Sequence, residues 1–362
     1  MQNAYPGRSC PNWSQRFAGS RPKYCRGAAL SIGARVSSIK MEDVQDALWM
    51  QRTIVKTWCM RGTLHLLASS DLPLYVAASK SRLGYRDDKL FKQYGISGNE
   101  IERITAGIHK ALDGCCLTRE ELASKLARQI KLNPKTRRVL VSGWGSLLQP
   151  AALQGVLCFG PSQGPKVTFV RADQWLGKGV DPRENSEEAL KTLLRRFLAA
   201  YGPITYQEFG HWWGGPPQMA QELMSSISEE LDQVEFEGHR AWVRKADAEQ
   251  ILRTPLTQSI RLLPSWDCYV MFYHPRGFLV PGNFRPGVFR QLQGNAPVLL
   301  LDGAVAGVWE RRQKGRQIEL RVEPFVRLNL SDQNRVNEEA IGLGEFLGAP
   351  VEVTFTKVAS PQ

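Results

Sequence analysis

One local pattern occurs at three places along the 362-residue chain, at residues 39–48, 117–126 and 204–213. In each copy an apolar residue is followed four positions later by an acid, a second apolar residue comes next, and a third stands four positions further on. In the last two copies a Thr precedes the Glu by three residues, as Thr118 with Glu121 and Thr205 with Glu208. This spacing is typical of a capping box at a helix start, so repeated helical units are expected.

Each of these helix starts is followed by a candidate β-hairpin. The strands are Thr53–Met60 with Thr63–Ala68, Gly155–Phe159 with Lys166–Arg171, and Gln233–Phe236 with Arg240–Arg244. Strand-forming residues on both sides of Gly-containing turns predict these hairpins. A further helix fits before the hairpin in the second copy, at 143–153, and in the third, at 217–227. Helices followed by a hairpin are the winged-helix arrangement, in which the hairpin lies against a nucleic-acid backbone.

The pattern changes after about residue 255. The expected elements there are strands at 262–273, 297–310 (with a turn at Asp302-Gly303) and 317–326, a helix at 333–347 and a closing strand at 351–357. The predicted fold class is therefore α+β, with three tandem winged-helix units followed by a C-terminal β-rich domain. The predicted domains are 1–75, 76–180, 181–255 and 256–362.

Positive charge is concentrated in two segments. Residues 1–41 contain seven Lys or Arg and residues 122–172 contain eight, and neither segment contains an acid, whereas the net charge of the whole chain is +12. A polyanion is the natural partner of such segments, through phosphate contacts and release of counterions. The alternative is a solvated basic face that maintains solubility, although such a face normally also contains acids.

The remaining composition points to a cytoplasmic protein without a cofactor. The seven cysteines show no C-x-x-C spacing, which favours reduced thiols and gives no sign of a metal site. No run of 18 apolar residues is present, so no membrane span is expected. No phosphate-binding or dinucleotide-binding Gly motif is found, and no dimerisation helix is recognisable. A monomer that scans double-stranded DNA, associated with a bacterial nucleoid, is the expectation.

Several stretches together resemble a known family. They are residues 56–66, 155–161 with 167–169, 202–205 before Trp212-Trp213, 262–269 and 301–309, and the segment Met60-Arg-Gly-Thr-Leu-His65 is the most specific. They resemble the winged-helix DNA-binding family that includes the azinomycin-resistance (AlkZ-like) DNA glycosylases, from about residue 28 to the C-terminus. The resemblance implies three winged helices and a β-rich domain around a DNA channel, excision of alkylated purines and unhooking of interstrand crosslinks.

At one point the sequence departs from this family. The resemblance implies a water-positioning Gln-x-Gln or Gln-x-Asp pair just before the helix at 28–36, which falls near Arg21 and Lys23. Residues 20–27 contain no Gln, Asp or Glu. Arg and Lys side chains donate hydrogen bonds but do not accept them from water as a side-chain carbonyl does. The catalytic residues are therefore unknown, and glycosylase activity of this chain is uncertain.

A shifted reading frame is one hypothesis for the departure. Codons exist for residues 20–27 (TCA AGG CCA AAG TAT TGC CGC GGC) that, read one base later, spell Gln-Gly-Gln-Ser-Ile-Ala-Ala. This runs directly into Ala28-Ala29-Leu30. The nucleotide sequence of the gene tests this hypothesis. If the actual codons of residues 20–27, read one base later, do not encode Gln-Gly-Gln, the hypothesis is wrong.

The candidate DNA-binding residues are Arg61, His65, Lys135, Arg137, Arg138, Lys166 and Arg276. Arg61 and His65 belong to the first predicted hairpin, where packing within the hairpin is the alternative role. Lys135, Arg137 and Arg138 are placed between two helices of the second copy, Lys166 at the edge of the second wing, and Arg276 in a turn between strands. Trp212 and Trp213 have two candidate roles, stacking on nucleobases and packing in the core, and we favour packing in the core. Asp267, in an apolar run between Trp266 and Cys268, receives no catalytic assignment.

Two further functions remain open beside the glycosylase. One is a non-enzymatic DNA-binding protein or regulator, which the missing Gln pair favours. The other is an RNA-binding or protein-interaction module, which relative affinity for duplex DNA and single-stranded RNA distinguishes.

Overall fold

The computed structural model describes residues 26–80, 91, 95–132, 134–142, 145–177, 179–180, 185–236, 238–255, 258–272, 279–290 and 294–358. These residues group into two compact units. The larger unit contains 46–234 and 241–244, and the smaller unit contains 26–45, 235–240 and the residues from 245 onward. No helix in the described part of the chain is both long and apolar enough to cross a membrane.

The second copy of the repeat forms a complete winged helix. Its elements are α4 (Gly98–Ala111), β3 (Leu117–Thr118), α5 (Arg119–Gln129), α6 (Pro134–Val141), α7 (Gln149–Leu153), β4 (Leu157–Gln163) and β5 (Lys166–Arg171). The strands form an antiparallel sheet in the order β3-β5-β4. The Thr118–Glu121 capping box that starts α5 is present, as predicted. Ile104, Leu122 and Phe169 lie in the buried core between helices and sheet.

The third copy repeats this order. Its elements are α9 (Ser186–Tyr201), α10 (Tyr206–Trp213), α11 (Pro217–Ser225), β6 (Leu231–Phe236) and β7 (His239–Arg244), and α8 (Ala172–Leu176) lies before it. A single bridge between Ile204 and Trp242 takes the place of the third strand. The Thr205–Glu208 capping box is again present at the start of α10. Ile204 and Phe209 are fully buried, so the apolar positions of the sequence pattern form the core.

The first copy consists of α1 (Arg26–Gly33), α2 (Met41–Trp49), the hairpin β1 (Ile54–Trp58) and β2 (Leu64–Ala68), and α3 (Leu72–Ser79). Its helix start has only half of a capping box, since the Lys40 backbone N–H donates to Asp43 Oδ2 at 2.8 Å. A 3-10 turn at Met60–Gly62 joins the two strands, and Arg61 within it has a left-handed φ of 55°.

A five-stranded sheet forms the centre of the smaller unit. Its strands are β8 (Ile260–Leu263), β11 (Val298–Leu301), β12 (Ala304–Lys314), β13 (Gln317–Pro324) and β14 (Val351–Phe355). Their order is β14-β13-β12-β11-β8, and only β13 with β14 is parallel. Helix α15 (Leu330–Leu347) covers one face with Val336 and Ala340 buried against Leu262 and Leu320. The elements α12 (Lys245–Arg253), α13 (Cys268–Phe272), α14 (Arg285–Val288), β9 (Phe289–Arg290) and β10 (Gly294–Asn295) complete the described part. The predicted α+β class with winged helices and a β-rich C-terminal region is confirmed.

Two predicted elements are wrong in detail. The strand expected at 262–273 ends at Leu263, because Pro264 donates no N–H to the ladder and Trp266 has a left-handed φ of 64°, after which the chain enters α13. Residues 143 and 144 of the helix expected at 143–153 lie outside the described residues. In the described part this helix begins at Gln149, because Gly145 has a φ of 66° and turns the chain before it.

Candidate nucleic-acid interface

Helix α6 presents a row of basic side chains to solvent. Lys135, Arg137 and Arg138 are exposed, whereas Val139 and Leu140 on the other side of the helix are buried. The buried Thr136 hydroxyl donates to Glu100 Oε1 at 2.8 Å and so ties the helix to α4. These three cations were expected between two helices, and the structure places them on a helix of their own. Its length of only eight residues made this helix difficult to recognise, although Pro134 at its first position is a favourable helix start.

The position of α6 within the repeat matters more than its charge alone. It directly follows α5 and lies before α7 and the second hairpin, and the second helix of a helix-turn-helix is the one that normally enters the groove of DNA. In the third copy a single α-helix, α11, lies between α10 and the hairpin, with the sequence PQMAQELMS. That helix contains no Lys or Arg, and its exposed residues include Gln218, Gln221 and Glu222. The basic helix is therefore a property of the second copy rather than of the repeat.

Lys166 begins β5 at the edge of the second wing, as expected from the sequence. Its side chain is 60% exposed, and its Nζ lies 3.7 Å from Glu120 Oε2, which is equally exposed. An exposed pair at this distance is weak and is screened by salt. The charge of Lys166 therefore stays accessible to a phosphate, although Glu120 reduces the local positive potential.

Arg61 packs against the third copy of the repeat. Its Nη1 donates to the backbone carbonyl of Trp212 at 2.9 Å. A Cβ built at Gly214, the left-handed residue that ends α10, would lie 3.0 Å from Arg61 Cα. His211 is affected by the same contact: burial, and secondly the charge of Arg61, lower the pKa of its imidazole. The structure supports the packing role for Arg61, and a phosphate contact remains a prediction.

His65 takes part in hydrogen bonding within the first hairpin. Its Nε2 lies 2.8 Å from Thr63 Oγ1 and 3.2 Å from the carbonyl oxygen of Met60. In the sheet it is opposite Thr57. These contacts support the packing interpretation. Trp213, for which core packing was also favoured, is fully buried, and the Trp212 ring lies 4.7 Å from that of Phe197.

Three of the candidate positions lie outside the described residues. They are Arg276, and Arg21 with Lys23 at the place of the expected water-positioning pair. The description begins at Arg26, the first residue of α1. The surroundings of α1 are therefore the nearest described structure to that place along the chain.

A turn of the smaller unit holds α1 at both ends. Near its start, a Cβ built at Gly27 would lie 3.1 Å from the carbonyl oxygen of Ser265. Just after its end, Arg35 donates from Nη1 to Asp267 Oδ2 at 2.8 Å and from Nη2 to Oδ1 at 2.7 Å. Asp267 is completely buried and also accepts the Tyr269 backbone N–H at 2.9 Å. Asp267 thus positions a helix, and its partner 232 residues away could not be identified from the sequence.

A cavity of about 640 Å³ also borders α1 in the same unit. Leu30, Ala34 and Phe346 contribute apolar surface, and Glu338 and Glu345 contribute carboxylates. Glu339 also faces it, where burial raises the pKa of the carboxyl group and Arg261, at 2.9 Å, opposes the rise. Carboxylates repel phosphates, so this cavity does not resemble a binding site for the nucleic-acid backbone. Within the described ranges, no group of three His, Cys, Asp or Glu is placed to hold a metal ion.

Comparison with known proteins gives a consistent result. The model of the family described as DNA glycosylase AlkZ-like matches residues 18–346, which includes the departing segment 20–27. A protein of Streptomyces sahachiroi named interstrand DNA cross-link repair glycosylase is 31% identical over 338 residues, covering 92% of this chain and 89% of that protein. The solved structure of the Streptomyces sahachiroi DNA glycosylase AlkZ superposes with a TM-score of 0.79 at 29% identity, covering 94% of this chain and 92% of the other. The chain belongs to the AlkZ-like DNA glycosylase family.

Proposed function

We propose that this protein binds double-stranded DNA as a monomer, with α6 and the second wing against the phosphate backbone. The observation that carries the proposal is the exposed row of Lys135, Arg137 and Arg138 on the helix that follows α5 in the second winged helix. Lys166 extends the same basic surface onto the wing. The family membership supports DNA as the substrate, and the cationic helix supports binding that depends on phosphates rather than on base sequence.

The proposed reaction is hydrolysis of the bond between a sugar and an alkylated purine. Alkylation at N7 makes the base cationic and weakens this bond. A water held near the sugar carbon and stabilisation of an oxocarbenium-like transition state are then sufficient for excision. The name of the Streptomyces sahachiroi relative supports interstrand crosslinks as a substrate class. A crosslinked base cannot be flipped into a pocket, so an open channel suits this chemistry.

The water-positioning step is where this chain departs from that chemistry. Arg21 and Lys23 stand where the family resemblance implies glutamines. A cationic donor does not accept a hydrogen bond from the water as a Gln carbonyl does. We therefore expect the chain to bind DNA in its present form and to excise bases efficiently only when the pair is restored.

The test is an excision assay on a duplex containing one 7-methylguanine. It compares the chain as it is with a variant carrying Arg21→Gln, Pro22→Gly, Lys23→Gln and Tyr24→Ser. Release of base by the restored variant alone is the expected outcome. Release by neither protein, while both bind duplex with a steep salt dependence, would remove the enzymatic proposal.

That second outcome defines the alternative function, a non-enzymatic duplex-binding protein. The composition of residues 20–27 favours it, because no side chain there replaces the glutamines. An RNA-binding role is the third candidate, and tighter binding of single-stranded RNA than of duplex DNA would support it instead. A cytoplasmic, nucleoid-associated location stays a prediction.

A further inference from the structure

Trp266 is an exposed tryptophan in the turn that contacts α1. Its side chain is 59% exposed, whereas the other seven tryptophans that the structure describes are buried or half-buried. A single exposed apolar residue is ordinary on a protein surface. Three further observations distinguish this one: its backbone conformation, the support of its ring and its position.

The backbone of Trp266 is held in an unfavourable conformation. Its φ of 64° is in the left-handed region, which raises the energy of any residue that has a Cβ. The Trp266 N–H donates to Asn295 Oδ1 at 2.7 Å, and Asn295 is only 2% exposed. The next residue is Asp267, fixed by its two hydrogen bonds from Arg35. Such strain persists where the surroundings enforce it, and it is concentrated at functional sites.

The indole ring is supported from one side. A Cβ built at Gly294 would overlap the six-membered part of the Trp266 ring, so the ring lies directly on the Gly294 backbone. Gly294 itself has a φ of 74°. This contact reduces the freedom of the ring without burying it. A pre-oriented aromatic surface loses little entropy when a flat ligand stacks on it.

The turn also places Trp266 near the start of α1. Its neighbour Ser265 is the residue whose carbonyl approaches Gly27. Gly27 is the second residue of α1 and follows Lys23 by four positions in the chain. The exposed ring therefore belongs to the same small region as the helix that follows the expected water-positioning pair.

We propose that Trp266 binds the DNA substrate by stacking on a nucleobase beside the start of α1. This inference rests on the proposed function, binding of duplex DNA. In an intact duplex the π faces of each base are covered by its neighbours, but beside an abasic site a face is uncovered. Every base has such a face, so stacking suits a protein that recognises damage without reading sequence. The cost of the left-handed backbone is then a consequence of presenting the ring in a fixed orientation.

The experiment measures fluorescence anisotropy of a labelled duplex with one tetrahydrofuran abasic-site analogue, and of the same duplex undamaged. Trp266→Gly suits the backbone conformation but removes the ring, so we expect the protein to fold and its affinity for the abasic duplex to fall about tenfold or more. Trp266→Phe should stay within about threefold of the wild type. Trp266→Leu keeps bulk without a π face and should lose affinity as Trp266→Gly does.

Leu330→Ala is the matched control, since Leu330 is an exposed apolar residue of the same unit, 75% exposed. Its affinity should be unchanged. Wild-type affinity in both Trp266→Gly and Trp266→Leu overturns the assignment of Trp266 while leaving the proposed function intact. A wild-type protein that binds neither duplex overturns both.

Discussion

At the residue scale, the ion pair between Arg35 and Asp267 has two unequal partners. The Asp267 side chain is 0% exposed and that of Arg35 is 41% exposed. If Arg35 is removed, a carboxylate remains buried without its counter-charge. If Asp267 is neutralised, the guanidinium can still be hydrated. The pair therefore stabilises the contact between α1 and the 264–267 turn mainly by compensating Asp267.

This asymmetry gives a prediction. Arg35→Ala should lower the free energy of unfolding by about 3 kcal/mol, the lower end of the range for a broken buried pair, because partial exposure of Arg35 reduces the effect. Asp267→Asn should cost less, about 1–2 kcal/mol, since it leaves no buried charge. Chemical denaturation measures both values.

The control is Arg253→Ala, which breaks the ion pair between Arg253 and Glu249 in the same unit. The two side chains of this pair are 78% and 72% exposed. It should change the free energy of unfolding by no more than about 0.5 kcal/mol. Equal costs for Arg35→Ala and Asp267→Asn would contradict the proposed asymmetry.

Residue roles were the least accessible from sequence. Arg61 and His65 stood out because of their motif, but their hydrogen bonds go to Trp212, Thr63 and Met60. The partner of Asp267 is distant in sequence, and a long-range pair leaves no local pattern to detect. The sequence predicts no role for Trp266, because a left-handed backbone is not visible in composition or periodicity.

At the scale of elements, local chemistry was a good guide. Both predicted capping boxes and all three predicted hairpins are present, because each depends on residues within a few positions of one another. Helix α6 was missed, since it has only eight residues, which is too short for the apolar period to be recognised. The wrong strand after Leu263 had an apolar sequence that suits helix or strand equally.

The capping box of α5 allows a direct test of this local determination. In Thr118→Ala the Glu121 backbone N–H loses its acceptor, so the free energy of unfolding should fall by about 1 kcal/mol. Ser124→Ala, at an exposed position within the same helix, should be neutral or slightly stabilising. Thermal unfolding measures the stability of the two variants. Equal stability of Thr118→Ala and Ser124→Ala would show that the capping box does not stabilise the protein.

At the scale of the whole molecule, the order of elements along the chain does not predict which of them belong to the same compact unit. Residues 26–45 group with the C-terminal part, whereas the hairpin that follows them belongs to the larger unit. Hydrophobic periodicity identifies elements but not which distant elements pack together. The family resemblance supplied the expected architecture, and the domain boundaries at 75, 180 and 255 remain predictions.

We propose above that the protein binds duplex DNA through the cations of α6. The most direct measurement is the dependence of duplex affinity on salt concentration, compared between the wild type and Lys135→Ala/Arg137→Ala/Arg138→Ala. Each phosphate contact contributes about 0.9 to the slope of log affinity against log salt, so loss of three contacts should reduce its magnitude by roughly 2–3.

The control is Arg312→Ala/Lys314→Ala/Arg316→Ala, which removes three exposed cations from β12 and its hairpin turn and lowers the net charge equally. We expect the slope to fall by roughly 2–3 in the α6 variant and to change by less than about 1 in the control. An unchanged slope in the α6 variant, or equal changes in both, would contradict it.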